Sequence, residues 1–574
     1  MTTIAKNIVD TLAANGVRRV YGLPGDSLNG FTDALRETPS IEWVHVRHEE
    51  AAAFAAAGEA ALTGEVAVCA GSAGPGNLHL INGLYDANRS RVPVLAIAAH
   101  IPSTEIGSNY FQETHPQEVF RECSVYAEQV TDPAQMPRIL EIALRTAVEK
   151  RGVAVVVLSG DVALTPVESE RVAVVRRARP RIVPSDAELR EAAGLLNASD
   201  KVTILAGAGV EGAHDEVVAL ADALGAPIVH AFRGKEFIEY ENPFDVGMTG
   251  LLGFSSGYRA MDACDVLLML GTDFPYQQFY PDHAKIIQVD IRGEQLGRRA
   301  KLDLGLVGDV KATAEALLPL LDRKQRRAHL DASLKHYAKA RAKLDDLATP
   351  TKKGQALHPQ YITRVLDQLA DDDAVFTADV GTPVIWAARY LTMNGRRRLV
   401  GSFTHGSMAN ALPHAMGAQA AYPGRQIVAL AGDGGLSMLM GELITIVQNK
   451  LPVKLVVFNN SSLNFIELEM KSAGFVNYGT GLDNPNFAAV AESLGMKGVR
   501  VDESSELERG LKEAFAYDGP ALVDVSTIRQ ELAMPPTITA QQASGFTLYA
   551  LRTVLSGRGD EVLDLAKTNW RRVF

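Results

Sequence analysis

Cysteine is scarce in this chain of 574 residues, and the three that occur are far apart. Cys69, Cys123 and Cys264 have neither the paired spacing of a zinc site nor the density of a disulfide framework. A reducing cytoplasm is therefore the expected compartment.

The chain also lacks an excess of basic residues and long apolar runs. The net charge of −11 argues against a nucleic-acid partner, because such a partner requires a basic surface. No apolar run reaches the ~18 residues of a membrane-spanning helix. The N-terminus begins a helical pattern at Ile8 and Leu12 rather than a signal peptide. With 47% hydrophobic and 22% charged residues, the composition is typical of a globular protein.

Strand and helix patterns alternate from the N-terminus to about residue 530. This alternation predicts the α/β class with parallel sheets. We expect three doubly wound domains, over residues 1–182, 183–334 and 335–530, and a helical tail over residues 531–574. The Arg- and Pro-containing stretch 176–184 is typical of a linker between the first two domains.

Two polar motifs follow neighbouring apolar runs in the third domain. Gly432-Asp433-Gly434 comes after one strand-like run, and Asn459-Asn460 comes after the next. Ligands collect at the carboxyl ends of parallel strands, so a carboxylate and an amide oxygen could share Mg2+ there, beside a phosphate. The alternative is two ordinary strand-to-helix turns, since Gly, Asp and Asn are common turn residues.

A second constellation occupies the first domain. Arg47-His48-Glu49-Glu50 precedes an alanine-rich helix, and two glycine-rich turns, 22–26 and 71–77, follow strand-like runs. We expect the acid and both turns to face one crevice. The alternative is that the acid only stabilises the first turn of its helix.

The middle domain has a dinucleotide-type pattern, Gly207-Ala208-Gly209-Val210-Glu211-Gly212. A lone pattern of this kind is weak evidence, and the acid expected about 20 residues later is missing. Asp290 is a better acid, because it ends a strand that follows Gly271-Thr272-Asp273. The simple NAD fingerprint therefore fails.

Together these motifs resemble the thiamin diphosphate (ThDP, or thiamine pyrophosphate) enzymes of the pyruvate oxidase and acetolactate synthase family, and most of all its membrane-associated, quinone-dependent branch. The resemblance covers essentially the whole chain. It implies that Asp433, Asn460 and the Ser462 carbonyl bind Mg2+. It also implies that Glu49, rather than Glu50, contacts the aminopyrimidine and activates the cofactor. The three domains would then bind the pyrimidine, FAD and the diphosphate, in chain order.

The resemblance assigns cofactor contacts to a larger set of residues. Around ThDP they are Gly25, Glu49, Asp379, Gly381, Gly406, Ser407, Met408, Asp433, Gly434, Gly435, Asn460, Ser461, Ser462, Leu463, Asn464, Phe465 and Ile466. Around FAD they are Arg233, Leu251, Leu252, Gly253, Phe254, Phe274, Pro275, Tyr276, Gln277, Gln278, Asp290 and Arg292. Related ThDP enzymes keep the middle domain without flavin, so a flavin-free domain stays an alternative.

Three further side chains are implied near the reacting carbons: Phe111, Gln112 and Phe465. The chain departs from the quinone-dependent branch at Asn464, where that branch usually has glycine. Asparagine accepts left-handed backbone better than most residues, so we expect the turn to be kept at this position.

The tail carries an amphipathic pattern. On one predicted helical face lie Val562, Leu563, Leu565, Ala566, Trp570, Val573 and Phe574, opposite Asp560, Asp564, Lys567 and Arg571. This pattern suits an interfacial helix on anionic lipid. The alternative is a C-terminal helix packed on the body of the protein. Both can hold in turn in an autoinhibitory tail that covers the site at rest and moves to the membrane when flavin is reduced.

The resemblance implies a function: oxidative decarboxylation of pyruvate to acetate and CO2 with ThDP, Mg2+ and FAD, and transfer of the electrons to a membrane quinone. It implies a cytoplasmic homo-oligomer, usually a tetramer, peripheral on the inner face of the cell membrane. Glu49 and the Mg2+ site would then come from neighbouring subunits. The alternatives are a phosphate- and oxygen-dependent oxidase that makes acetyl phosphate, a carboligase like acetolactate synthase, and a catalytically quiet scaffold on lipid.

Overall fold

The computed structural model of this chain describes residues 2–167, 171–178, 180–532, 540–556 and 558–573. Three six-stranded sheets follow one another along these ranges, and the paired strands of every sheet are parallel. The predicted α/β class with three parallel sheets is therefore confirmed.

The first sheet has the strand order β2-β1-β3-β4-β6-β5. Its strands are β1 (Arg19–Gly22), β2 (Glu42–His45), β3 (Ala67–Gly71), β4 (Val94–His100), β5 (Tyr126–Gln129) and β6 (Val153–Ser159). The helices around it are α1 (Ile4–Ala14), α2 (Asn29–Arg36), α3 (Glu49–Thr63), α4 (Pro75–Ser90), α5 (Pro116–Val119), α6 (Met136–Lys150) and α7 (Gly160–Ala163).

The middle sheet has the order β12-β11-β10-β7-β8-β9. Its strands are β7 (Val202–Ala206), β8 (Ile228–His230), β9 (Asp245–Met248), β10 (Val266–Leu270), β11 (Lys285–Asp290) and β12 (Leu304–Val307). Its helices, with the long connecting helix last, are α8 (Asp186–Asn197), α9 (His214–Leu224), α10 (Lys235–Ile238), α11 (Ser255–Asp262), α12 (Val310–Leu317) and α13 (Ala328–Leu347).

The third sheet has the order β14-β13-β15-β16-β18-β17. Its strands are β13 (Val375–Ala378), β14 (Arg398–Val400), β15 (Ile427–Gly432), β16 (Lys454–Asn459), β17 (Lys497–Val501) and β18 (Ala521–Ser526). Its helices are α14 (Pro359–Leu369), α15 (Thr382–Tyr390), α16 (Ala411–Ala421), α17 (Asp433–Met438), α18 (Glu442–Gln448), α19 (Asn464–Ser472), α20 (Phe487–Ser493) and α21 (Ser504–Ala516).

Strand order determines where each sheet can bind a ligand. The first and third sheets have the same strand order. In each, the order in which strands are added reverses at one point, between β1 and β3 in the first sheet and between β13 and β15 in the third. The middle sheet reverses between β7 and β10, which is the arrangement of dinucleotide-binding folds. Ligands bind outside the carboxyl ends of the strands at such reversal points. The predicted motifs at the ends of β1, β3, β7, β10, β13 and β15 thus lie where ligands are expected.

Helices α3 and α16 join the first and third domains. Both are built largely from alanine and glycine, and both are almost entirely buried. A Cβ at Gly417 would lie 1.9 Å from the Ala55 carbonyl oxygen, so only glycine permits this approach of the two backbones. The close packing holds Glu49, at the start of α3, firmly against the body of the protein.

The tail forms two helices, α22 (Ala540–Leu555) and α23 (Gly559–Val573). Among the described residues, none of the helices has both the length and the apolar character required to cross a bilayer.

Candidate active site

The glycine-rich turns of the first domain meet at the reversal point of its sheet. A Cβ at Gly25 would lie 2.4 Å from the Ser72 Cβ, and a Cβ at Gly76 would lie 2.9 Å from Glu49 Oε1. Larger residues at either glycine would therefore push the turns and the acid apart. The structure brings the acid and both turns to one crevice, as their sequence patterns predict.

Glu49 is held at the N-terminus of α3. His48 caps this helix by accepting a hydrogen bond from the Glu50 N–H, and the Glu49 side chain is almost fully buried. Glu49 Oε2 lies 2.9 Å from His79 Nδ1, and the rings of His48 and His79 stack with centroids 4.2 Å apart. The crevice therefore holds one buried carboxylate between turns that approach it closely, which suits the role implied for the activating acid.

Asp433 and Asn460 meet at the ends of adjacent strands in the third sheet. Strand β15 pairs with β16 so that Gly432 lies opposite Phe458. Asp433 Oδ2 accepts hydrogen bonds from the backbone N–H groups of Asn460, at 3.1 Å, and Ser461, at 2.7 Å. The two halves of the motif are thus one site rather than two separate turns.

The oxygen donors of this site suit a magnesium ion. Asn460 Oδ1 accepts from the Ser462 N–H at 3.0 Å, which brings an amide oxygen and the Ser462 backbone beside the Asp433 carboxylate. Burial raises the pKa of Asp433, and a divalent cation would favour its ionised form. A carboxylate, an amide oxygen and a carbonyl oxygen are the hard ligands that Mg2+ prefers. These three residues therefore fit the implied cation.

Next to this site the backbone leaves room for a diphosphate. A Cβ at Gly381 or at Gly432 would meet only Pro383, no closer than 3.7 Å. Asp379 accepts backbone hydrogen bonds from Ala411, at 2.9 Å, and Gly432, at 3.3 Å, so it ties the surrounding loops together. Burial raises the pKa of Asp379 to about 6.

Met408 lies over the same site. A Cβ at Gly434 would be 2.7 Å from Leu463 Cδ2 and 3.4 Å from Met408 Cε, so the two side chains converge on this glycine. Ser407 accepts a hydrogen bond from Asn82 at 3.0 Å. Asn82 also donates to Glu50 at 2.6 Å. The Met408 segment is therefore connected to the start of α3.

The expectation for Asn464 is wrong. The left-handed residue of this loop is Ser461, with φ +55°. Asn464 instead is the first residue of α19, and its side-chain amide donates to the Arg529 carbonyl at 2.5 Å. A buried hydrogen bond therefore holds Asn464, because its amide finds an acceptor on the segment that follows β18.

In the middle domain, the glycines at the ends of β7 and β10 are in close contact. A Cβ at Gly207 would lie 2.5 Å from the Gly271 carbonyl oxygen. Beside this reversal point Arg91 of the first domain forms an ion pair with Asp273 at 2.7 Å. Burial, followed by the neighbouring Arg292 guanidinium, lowers the pKa of Arg91 to about 10. Cationic side chains are thus concentrated at the ligand-binding edge.

Arg292 is the clearest sign of an anionic ligand here. Its Nε and Nη2 atoms are buried and have no hydrogen-bond partner, although Nε approaches Asp290 Oδ1 to 3.7 Å. Buried donors of a guanidinium are rarely left unpaired, and a diphosphate would satisfy them. The residues present therefore fit the diphosphate of FAD, while the binding of FAD stays a prediction.

Several predicted flavin contacts have buried rings. Phe254 packs against Tyr337 of α13, and Phe274 packs against Phe279 and Tyr280. Because these rings are used in packing, a flavin would contact the backbones of Phe254 and Phe274 rather than their rings. Four neighbouring predicted contacts are exposed: Pro275, Tyr276, Gln277 and Gln278.

Phe111 and Gln112 differ in their surroundings. Gln112 has a left-handed backbone, with φ +64°, and it lies so close to Gly74 that a Cβ there would be 2.9 Å from the Gln112 Cβ. Phe111 is 78% exposed in the single chain. The structure thus brings Gln112 to the glycine-rich turn and leaves Phe111 on the surface.

Phe465 is half-buried against the core of the third domain. Leu252, a predicted flavin contact, packs on the same core. The predicted flavin loop and the helix that follows the predicted magnesium loop therefore pack on the same core.

Four residues of the site were not predicted from sequence: His79, Asn82, Arg91 and Asn484. Asn484 donates to Asp433 Oδ2 at 2.8 Å and to Asn459 Oδ1 at 3.0 Å. Arg91 follows α4 with φ +58°. Nothing in their local sequence distinguishes them, because each acts on a residue that is distant in the chain.

The tail packs on α19. A Cβ at Gly545 would lie 1.9 Å from the Ser472 carbonyl oxygen, so α22 crosses the end of α19 at a glycine. Asn569 of α23 accepts from the Leu532 N–H at 3.0 Å and donates to the Gln530 carbonyl at 2.8 Å. In the described part of the chain, the tail helices are thus packed on the body, as the alternative prediction states.

The predicted apolar face of α23 is partly buried and partly exposed. Val562 and Leu565 are half-buried beside the buried Asn569, whereas Leu563 and Ala566 are exposed. The apolar side chains therefore divide into those that pack on the body and those that face away from it. The side chains of Trp570 and Val573, and all of Phe574, lie outside the described residues.

Family profiles match all three domains. The N-terminal TPP binding domain of thiamine pyrophosphate enzymes matches residues 2–119, their central domain matches residues 189–317, and their C-terminal TPP binding domain matches residues 379–525. The first range contains Glu49, and the third contains Asp433 and Asn460.

Similar proteins cover nearly the whole chain. A putative thiamine pyrophosphate-containing protein of Bacillus subtilis is 38% identical over 574 residues, which are 100% of this chain and 99% of the relative. The pyruvate oxidase of Lactiplantibacillus plantarum is 31% identical over 527 residues, or 90% of this chain and 87% of that enzyme. The acetolactate synthase large subunit of Parasynechococcus marenigrum is 30% identical over 550 residues, or 92% of this chain and 88% of the relative.

Proposed function

The chain belongs to the family of thiamine pyrophosphate-dependent enzymes that includes pyruvate oxidase and acetolactate synthase, and from this we propose that it oxidises pyruvate to acetate and CO2 at the expense of a membrane quinone. The observation that carries the oxidative part is Arg292, whose buried donors are unpaired at the dinucleotide-binding edge of the middle sheet. A dinucleotide held there would supply the electron acceptor that the proposed oxidation requires.

The proposed reaction converts pyruvate, water and quinone into acetate, CO2 and quinol. Bound ThDP would serve as the electron sink for loss of CO2, and bound FAD would accept two electrons and pass them to the quinone. Glu49 would hold a proton at the pyrimidine ring nitrogen from its buried position. Asp433, Asn460 and Ser462 would hold Mg2+ and through it the diphosphate.

The arrangement of the two candidate sites supports electron transfer between them. Phe465 and Leu252 pack on one core, and Tyr276 lies within electrostatic reach of Glu469 on α19. Burial, and then the Glu469 carboxylate on α19, raise the pKa of Tyr276. The predicted flavin loop therefore borders the helix that begins at the magnesium site.

Partners of the proposed enzyme are a second copy of the chain and an anionic lipid surface. Phe111 is 78% exposed beside the crevice that holds Glu49, which supports a subunit contact there and the tetramer common in the family. On the tail, Leu551 is 57%, Leu555 is 78% and Leu563 is 60% exposed. Such side chains, next to the basic C-terminus, suit an interfacial helix at the inner face of the cell membrane.

We expect the purified protein to be yellow and to reduce a quinone analogue when given pyruvate and ThDP-Mg2+ without added phosphate. Arg292→Met should remove most of the bound flavin, because it deletes the unpaired donors, and quinone reduction should fall with it. Absorbance of the purified protein and the pyruvate-dependent rate check both statements. Arg298→Met, at an exposed arginine nearby, is the matched control and should keep its flavin.

Product analysis separates the proposal from its alternatives. Colourless protein that forms acetolactate would contradict the oxidase assignment. Yellow protein that requires phosphate and oxygen and forms acetyl phosphate would contradict the quinone assignment.

Ending the chain before Arg558 should abolish activation by anionic vesicles, because it removes α23 with its basic end. Quinone reduction measured with and without vesicles checks this. Leu555→Glu keeps the full length but places a charge on the exposed apolar surface of the tail, so it should weaken the same response. An undiminished lipid response in both variants would show that the tail only packs on the body.

A further inference from the structure

A buried carboxylate outside the cofactor residues named above lies directly behind the magnesium loop. Glu467, in the first turn of α19, has no exposed surface. Its Oε1 accepts hydrogen bonds from Ser462 Oγ at 2.6 Å and Thr480 Oγ1 at 3.0 Å. Arg529 donates to the same oxygen from Nε at 3.1 Å and also from Nη2. One carboxylate oxygen therefore gathers three side chains from separate segments.

These segments surround the loop that would hold the cation. The Leu463 N–H donates to the Thr480 carbonyl at 2.8 Å, and the Leu482 N–H donates to the Ser461 carbonyl at 3.0 Å. Residues 461–463 are thus paired with residues 480–482 by their backbones. Glu467 joins the same two segments through the side chains of Ser462 and Thr480.

The second oxygen of Glu467 faces a buried cation. Lys471 Nζ lies 3.4 Å from Oε2, and Lys471 also has no exposed surface. Lys471 donates to Gln530 Oε1 at 2.7 Å and lies 5.7 Å from the centroid of the Tyr549 ring on α22. Glu467 is therefore held by two cations, Lys471 at Oε2 and Arg529 at the oxygen that also binds Ser462.

We propose that Glu467 is a positioning residue that orients the Ser462 carbonyl toward the magnesium ion. Two hydrogen bonds anchor the N–H and the side chain of Ser462: the N–H donates to Asn460 Oδ1 at 3.0 Å, and the hydroxyl donates to Glu467. The Ser462 carbonyl also accepts from the Asn464 N–H at 2.8 Å, which leaves its second lone pair for the cation. With both anchors in place, the direction of the carbonyl is set before the cation arrives. Preorganised ligands of this kind raise affinity, because less ordering is required on binding. The inference rests on the proposed ThDP-Mg2+ site and not on the redox step.

A purely structural ion pair is the competing explanation, and thermal stability alone cannot distinguish the two. Removal of Glu467 alone leaves Lys471 buried without a counter-ion, which destabilises a protein strongly. The informative variant is therefore Glu467→Met/Lys471→Met, which removes both charges and the acceptor of the Ser462 hydroxyl while keeping similar side-chain volumes. Glu508→Met/Lys512→Met, at an exposed pair on α21, is the matched control.

The experiment titrates MgCl2 into the full chain at fixed ThDP and follows binding by calorimetry, beside the melting temperature. We expect the double variant and Ser462→Ala each to bind Mg2+ about tenfold more weakly, the effect of one lost hydrogen bond to a charged group. Their combination should be no weaker than either, since both changes remove the same contact. The control should match the wild type.

Two results would overturn the inference. The first is Mg2+ affinity within about twofold of wild type in both variants with only the melting temperature lowered, which assigns Glu467 to structure alone. The second is full additivity of the two losses, which shows that Glu467 does not act through Ser462. Wild-type protein that fails to bind Mg2+ with ThDP would overturn the cofactor assignment as well, whereas failure of the quinone assay would leave the role of Glu467 intact.

Discussion

Glu49→Gln should lower pyruvate turnover on the order of a thousandfold while ThDP and Mg2+ still bind. Glutamine keeps the volume that fits against Gly76, where a Cβ would lie only 2.9 Å from Glu49 Oε1. It cannot hold a proton at the pyrimidine nitrogen and release it, so the loss should appear in kcat. Steady-state rates and calorimetric titration of ThDP check the two halves of this statement.

Glu50→Gln is the control for this prediction, because it changes the adjacent acid in the same helical turn. Glu50 is bound to Asn82 rather than to the glycine-rich turn. It should cost far less activity than Glu49→Gln. Equal losses in the two variants, or full activity in Glu49→Gln, would remove Glu49 from its assigned role.

Asp433→Asn should weaken binding of Mg2+ with ThDP on the order of 100-fold, and turnover should require correspondingly more of both. The Asp433 carboxylate contributes the only formal negative charge of the predicted ligand set. Its Oδ2 also holds the Asn460 and Ser461 N–H groups, so the substitution disturbs the other half of the motif. Calorimetry with MgCl2 and ThDP measures the loss.

Asp518→Asn, at an exposed loop of the same domain, tests whether loss of any negative charge has this effect. It should bind both cofactors as the wild type does. If Asp433→Asn binds Mg2+ with wild-type affinity, the cation binds elsewhere in the third domain.

The fold and the main contacts of the site follow from patterns that are local in the chain. Apolar runs that end in Gly-Asp-Gly or Asn-Asn predict parallel strands with polar side chains at their carboxyl ends. The structure places Asp433 and Asn460 together for this reason, since β15 and β16 are adjacent and parallel. The glycine-rich turns at Gly25 and Gly76 are close for the same reason, because they follow β1 and β3, which are adjacent and parallel.

The errors occurred where a contact with a distant segment overrides local preference. Asn464 was expected to adopt left-handed backbone, but its amide binds the Arg529 carbonyl and the turn is at Ser461. The apolar pattern of α23 did not indicate which of its side chains pack on the body; beside Asn569, Val562 is half-buried and Leu563 is exposed. Local propensity is a small preference, and tertiary hydrogen bonds and burial exceed it.

The sequence by itself determined the class of the fold and the family, and it predicted the acid and the magnesium ligands, because these depend on residue types at short spacings after strands. Only the tertiary structure decided which loops share an edge, which arginine donors are left unpaired at the middle sheet, and which buried carboxylate binds the Ser462 hydroxyl. Glu467, Thr480 and Arg529 are far apart in the chain, and no local pattern links them. They act together because chain folding brings Ser462, Thr480 and Arg529 to one buried oxygen of Glu467, where a buried polar group requires partners.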